Sequence, residues 1–199
     1  MEKIKVIGIC GSPRKGKHTE TLMEHIFEGC KAEGAEVEMI TIHDKDLKPC
    51  TGCLSCQKGG TCPVKDDITK IFEKIKEADG IVMGSPVFFC DVTAQMKMIL
   101  DRSFAYWPIN GNKVGAIATV AGSVGCSGVI DTFNRFFTMH GISSAGFVGL
   151  YGKTGDKIKA QDTAYKIGQK IVKQARIQKG TTNGAYDAAT HVVYGTHTF

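Results

Sequence analysis

The stretch Lys3–Glu20, KIKVIGICGSPRKGKHTE, passes in succession through an apolar run, a glycine-bearing turn and the start of a helix. Val6, Ile7 and Ile9 read as a buried strand, and the apolar residues that follow the turn recur at helical spacing. A strand that turns tightly into a helix is the opening unit of a parallel α/β sheet, and its turn is suited to anions because helix N-terminal amides face outward there. From Gly11 to Lys17 the letters spell GxxxxGK, one residue short of a nucleoside-triphosphate P-loop. His18 stands where that loop needs a Ser or Thr hydroxyl for magnesium.

Working outward, apolar runs at 3–9, 36–42, 80–85, 113–121 and 141–151 alternate with helical patterns at 18–33, 67–78, 92–106, 126–140 and 158–177. The order βαβαβαβαβα predicts an α/β, flavodoxin-like, doubly wound five-stranded parallel sheet, strand order 2-1-3-4-5, with ligands outside the carboxyl ends of the strands. Asp66, and Thr19 or its neighbours, are the expected helix N-caps, and Gly34 is the expected stop of the first helix. Residues 1–179 form the expected domain. It includes a cysteine-rich insertion at 43–66, after the second strand, too long to be a simple connection. The tail 180–199, with Tyr186, Tyr194 and Phe199, is expected to pack on a neighbouring subunit.

Composition excludes some classes. The 25 Lys and Arg of this 199-residue chain, net +5, are scattered rather than clustered, so no nucleic-acid footprint is expected. No apolar run is long enough for a membrane span, and the N-terminus lacks a signal-peptide cleavage pattern, so a cytoplasmic protein is expected.

The cysteines carry more information. CTGCLSCQKGGTC places Cys50, Cys53, Cys56 and Cys62 in the pattern C-x2-C-x2-C-x5-C, followed by Pro63. Three thiolates two residues apart can occupy three corners of an iron–sulfur cubane, and the gap QKGGT lets the chain return with the fourth. A four-cysteine zinc site or free redox thiols are the alternatives, although zinc sites usually join two separated pairs.

The first loop supplies Ser12, Arg14 and Thr19 beside its backbone amides, a set that suits a metal-free phosphate monoester. Neither later strand ends in the carboxylate that a P-loop NTPase needs for magnesium. The third strand runs into GSPVFFCDVTAQMK, with Phe88 and Phe89 near the same edge. The fourth ends in AGSVGCSG, whose glycines allow a flat ring to approach the backbone. Core packing is the other reading of the two phenylalanines; three loops meeting at one edge point to a flavin.

With GSPRKGKHTE, SPVFFCDVTAQMKMILDR, AGSVGCSG and the compact cysteine motif, the chain resembles the iron–sulfur flavoproteins, within the wider NADPH-dependent FMN reductase superfamily, over about residues 4 to 150. The resemblance implies FMN, its phosphate at Ser12, Arg14, Lys17, His18 and Thr19. It places the flavin ring beside Pro86, Val87, Phe88, Phe89 and Cys90, and against Ala121, Gly122, Ser123 and Gly125. His18 departs from the small polar residue usual in related chains. The resemblance also implies one 4Fe-4S cluster on the four cysteines, a homodimer or homotetramer, ferredoxin or a similar low-potential donor, and a small-molecule oxidant. An NAD(P)H-dependent FMN or quinone reductase and a non-enzymatic redox sensor are the competing functions.

Overall fold

The computed structural model describes residues 3–58, 61–109, 112–152 and 156–181. Its strands are β1 (Lys5–Cys10), β2 (Glu36–Thr41), β3 (Gly80–Pro86), β4 (Val114–Ala121) and β5 (Ser143–Tyr151). They form one sheet in the order β2-β1-β3-β4-β5, every neighbouring pair parallel, as the alternation predicts. Every residue of β3 is buried, because helices cover both faces and strands flank both edges. The edge strand β2 shows half-buried alternation instead.

Five helices, α1 (His18–Ala32), α2 (Ile68–Glu77), α3 (Ala94–Arg102), α4 (Cys126–His140) and α5 (Lys157–Thr181), divide between the two faces. Ile7, Ile9, Ile81, Met83 and Ile117 point to the face where α2, α3 and α4 bring Ile71, Phe72, Met96, Ile99, Phe133 and Phe137. Val6, Val82, Ala116 and Ala118 point to the other face, under α1 and α5. Those two helices touch backbone to backbone: a Cβ on Gly29 would lie 2.0 Å from the Tyr165 carbonyl oxygen, and one on Gly168 would lie 1.9 Å from that of Ile26. Only glycine permits so close a crossing. Among the described residues, no helix is long and apolar enough to cross a membrane.

Some boundaries differ from the sequence reading. The N-cap of α1 is Lys17, which makes no side-chain cap bond, and Thr19 sits buried inside the first turn. The reason is Gly16, whose φ of 65° turns the chain into the helix early, while the Glu20 carboxylate reaches back 2.8 Å to the Gly16 amide in the role of a cap. Asp67, not Asp66, is the N-cap of α2, yet Asp66 Oδ1 still accepts from the Ile68 amide at 3.1 Å. The helix expected over 92–106 is α3 followed by a 3-10 turn at Ser103–Tyr106. The aromatic tail residues Tyr186, Tyr194 and Phe199 lie outside the described residues, and α5 extends into the start of the expected tail.

Candidate functional site

Three loops leave the carboxyl ends of β1, β3 and β4 side by side, and hydrogen bonds lock the first two together. The Gly11 amide donates to the Gly84 carbonyl at 2.7 Å. Thr93 Oγ1 donates to the Gly11 carbonyl at 2.8 Å and accepts from the Met96 amide at 3.2 Å, so one buried hydroxyl both ties the loops and caps α3. Ser85 Oγ accepts from the Thr93 amide at 3.1 Å.

In the first loop, Arg14, Lys17 and His18 are exposed, whereas Ser12 and Thr19 are buried. The Ser12 hydroxyl is turned inward, donating to the Arg14 carbonyl at 3.0 Å and accepting from the Arg14 amide at 3.2 Å. The Arg14 amide is thus taken by Ser12 and its side chain is left exposed. The Gly16 amide donates to the Glu20 carboxylate at 2.8 Å.

The second loop carries backbone strain. Phe89 and Cys90 have φ of 45° and 64°, in the left-handed region that costs an ordinary side chain about 1–2 kcal/mol. Phe88 and Asp91 close this turn with paired backbone bonds of 2.9 and 3.1 Å. Asp91 Oδ1 braces it by accepting from the Val92 amide at 2.7 Å and from Thr132 Oγ1 at 2.8 Å. The turn also rests on the third loop. Gly125, with φ of 95°, and Gly128 leave no room for a Cβ, which would come within 2.9 Å of Cys90 Cα and 1.9 Å of the Cys90 carbonyl oxygen respectively. Phe89 is fully exposed and Phe88 about half exposed, so core packing does not account for this pair. Pro86 and Ala121 are buried at their strand ends, Val87 and Gly125 are partly buried, and Cys90, Gly122 and Ser123 are exposed.

The cysteine loop forms a separate site at the far end of α3. Cys50, Cys53, Cys56 and Cys62 all line one cavity of about 170 Å³, none of them in a disulfide. Leu54, Pro63, Val64, Phe104 and Ala105 give it apolar walls. Cys53 Sγ lies 3.5 Å from Ser55 Oγ, and the hydrogen bond with that side chain holds the thiol pKa below its ordinary value. Among the described residues, no three ligating side chains converge on a position for a single ion. A second hollow of about 330 Å³ at the opposite edge of the sheet is walled by Lys5, Glu36, Glu38, Lys74 and Glu77, and shares nothing with the cysteines or the three loops.

The model of the family described as NADPH-dependent FMN reductase matches residues 4–150, which contain all three loops and the cysteine motif. An iron-sulfur flavoprotein of Methanocaldococcus jannaschii is 38% identical over 196 residues, covering 88% of this chain and 100% of that protein. The chain is an iron–sulfur flavoprotein-family member of the FMN reductase class. An iron-sulfur flavoprotein of Methanosarcina thermophila is 34% identical over 154 residues, which cover 75% of this chain and 81% of that one. In fold, a flavone reductase superposes with a TM-score of 0.74 at 20% identity, covering 92% of this chain and 66% of the other.

Two residues that organise these sites in this family member are not evident from the sequence. Nothing local in the sequence reveals the bond of Thr93 to Gly11. Arg102 ends α3, where a cation is ordinary, yet its side chain is only 1% exposed and sits against the cysteine cavity.

Proposed function

We propose that this chain is an electron-transfer oxidoreductase holding FMN at the three carboxyl-edge loops and a 4Fe-4S cluster at Cys50, Cys53, Cys56 and Cys62. In this reading it takes electrons from ferredoxin or a similar low-potential donor and delivers them to a small-molecule oxidant. The observation that carries it is the single apolar-walled cavity lined by all four thiols of the C-x2-C-x2-C-x5-C motif. That donor set fits a cubane: four soft sulfur ligands line one apolar-walled cavity. The first loop fits a phosphate, since Arg14 is exposed and the turn leads directly into the N-terminus of α1.

When bound, the cluster supplies one-electron transfer and FMN supplies exchange of one or two electrons. The protein's residues do the rest. Arg14 and the amides at the start of α1 hold the phosphate, with Lys17, His18 and Thr19 in the same turn. The strained Phe89–Cys90 turn and the open Gly122–Ser123 backbone offer flat approaches to a ring. Leu54, Pro63 and Phe104 wall the cavity beside the thiols with apolar surface.

The two sites lie at opposite ends of α3, whose nine residues span about 13 Å. Leu54, Phe88, Phe89, Phe104, Trp107 and Val124 are exposed around them. We further propose a homodimer or homotetramer in which the cysteine loop of one subunit approaches the FMN of another. Sedimentation of cofactor-loaded protein tests this, and a fully active monomer refutes it.

Anaerobic purification followed by iron, sulfide and flavin analysis tests the main reading. The expected result is about four irons and one FMN per chain, with a broad visible band bleached by dithionite. Flavin with one zinc, or with no metal, overturns the cluster. A second reading, an NADPH-dependent FMN or quinone reductase, is favoured by the family's own description. It predicts NADPH oxidation undiminished when the cysteines are replaced.

A further inference from the structure

The neck of the cysteine loop is pinned on one side by Asp67, whose Oδ2 accepts from the Asp46 amide at 3.0 Å, and on the other by a buried side chain of α3. Arg102 Nη1 donates to the Lys48 carbonyl at 3.3 Å and to the Asp66 carboxylate, and Nη2 donates to the Val64 carbonyl at 3.0 Å. Asp66 Oδ2 in turn accepts from the Lys48 amide at 2.9 Å. Chain entering the loop at Lys48 and leaving it at Val64–Asp66 is thus gathered on one planar fork, which a lysine could not reproduce. The Arg102 and Asp66 side chains are 1% and 0% exposed.

The remaining nitrogen has no such partner. Arg102 Nε is buried and meets no acceptor at hydrogen-bond geometry. A buried N–H without a partner is costly, so its surroundings need explaining. Arg102 and Cys62 both line the same cavity.

Resting on the cluster reading above, we propose that Arg102 is the positioning residue of the cluster site: it closes the neck of the cysteine loop and directs Nε–H at the Cys62 sulfur, raising the reduction potential of the bound cluster. Taking up one electron makes the site one charge more negative, and a fixed cation and donor beside a ligand sulfur favour that state.

The test starts from wild-type holoprotein, whose iron and sulfide content decides the cluster reading independently of Arg102. Two variants follow, Arg102→Lys and the neutral pair Asp66→Asn with Arg102→Gln, the second leaving no uncompensated buried charge. FMN content and far-UV circular dichroism report the fold, and a dithionite titration followed by EPR reports the potential. Loss of a donor to a charged group predicts about a tenfold fall in the equilibrium constant for cluster reduction, 59 mV for a one-electron couple. Either that fall in both variants, or loss of the cluster from protein that keeps its fold and FMN, supports the proposal. An unchanged potential with full iron content overturns it. So does failure of both variants to fold, which would make Arg102 a core residue of the whole domain.

Discussion

Thr93→Val tests the coupling of the first two loops most directly. Valine keeps the shape of threonine and replaces only the hydroxyl with a methyl group, at a position with no solvent exposure. Two bonds disappear together, the 3.2 Å bond from the Met96 amide and the 2.8 Å bond to the Gly11 carbonyl. Losing a helix cap costs about 1 kcal/mol. Leaving a buried carbonyl without its donor costs roughly 1–3 kcal/mol more. The expected loss is therefore about 2–4 kcal/mol, measured by urea unfolding of the FMN-free protein with linear extrapolation. Thr93→Ser keeps both bonds and loses one buried methyl, about 0.8 kcal/mol. Stability should fall in the order Thr, Ser, Val, and FMN retention in the same order, because Gly11 opens the loop that faces the phosphate. A valine variant as stable as the serine variant would refute the reasoning, since the hydroxyl would then be idle.

Three further outcomes are expected. His140 is buried, its Nε2 lies 3.0 Å from Ser103 Oγ, its Nδ1 accepts from the Ile109 amide at 3.4 Å, and burial pushes its pKa down to about 4. The unfolded chain takes up a proton near pH 6.5 that the folded chain refuses, so this contribution is intact above that pH and is lost as pH falls toward 4, by about 3 kcal/mol in all. Urea midpoints of metal-free protein should show this slope and His140→Gln should lack it; equal slopes would show that the imidazole is not responsible. Arg14→Ala should weaken FMN binding by about 1.5–3 kcal/mol, the range for a hydrogen bond to a charged group, and an unchanged Kd by fluorescence titration would remove Arg14 from the phosphate site. Cys56→Ala should abolish the cluster while leaving FMN bound and the sheet folded, because the cysteine cavity and the three loops share no residue; full iron content in this variant would refute its assignment as a ligand.

What the sequence determined alone was whatever depends on local periodicity and spacing. Five alternations of strand and helix fixed the parallel sheet, since parallel neighbours require crossovers and crossovers have one hand. The turn after β1, the aromatic pair after β3, the glycines after β4 and the compact cysteine motif were all legible, because each is a short pattern whose chemistry is written in consecutive residues.

What only the tertiary structure decided depends on pairs distant in the chain. Nothing near Thr93 announces a bond to Gly11, and nothing near Arg102 announces Lys48, Val64 and Asp66. Likewise, Ser12 reads as a phosphate donor by residue type, but the fold turns its hydroxyl onto Arg14. Glu20, unremarkable in sequence, takes the amide of Gly16. Buried polar groups must find partners wherever the fold puts them within reach, and in a doubly wound sheet those partners come from different crossovers, so no local pattern can encode which side chain ties the loops or where the neck of the cysteine loop is closed.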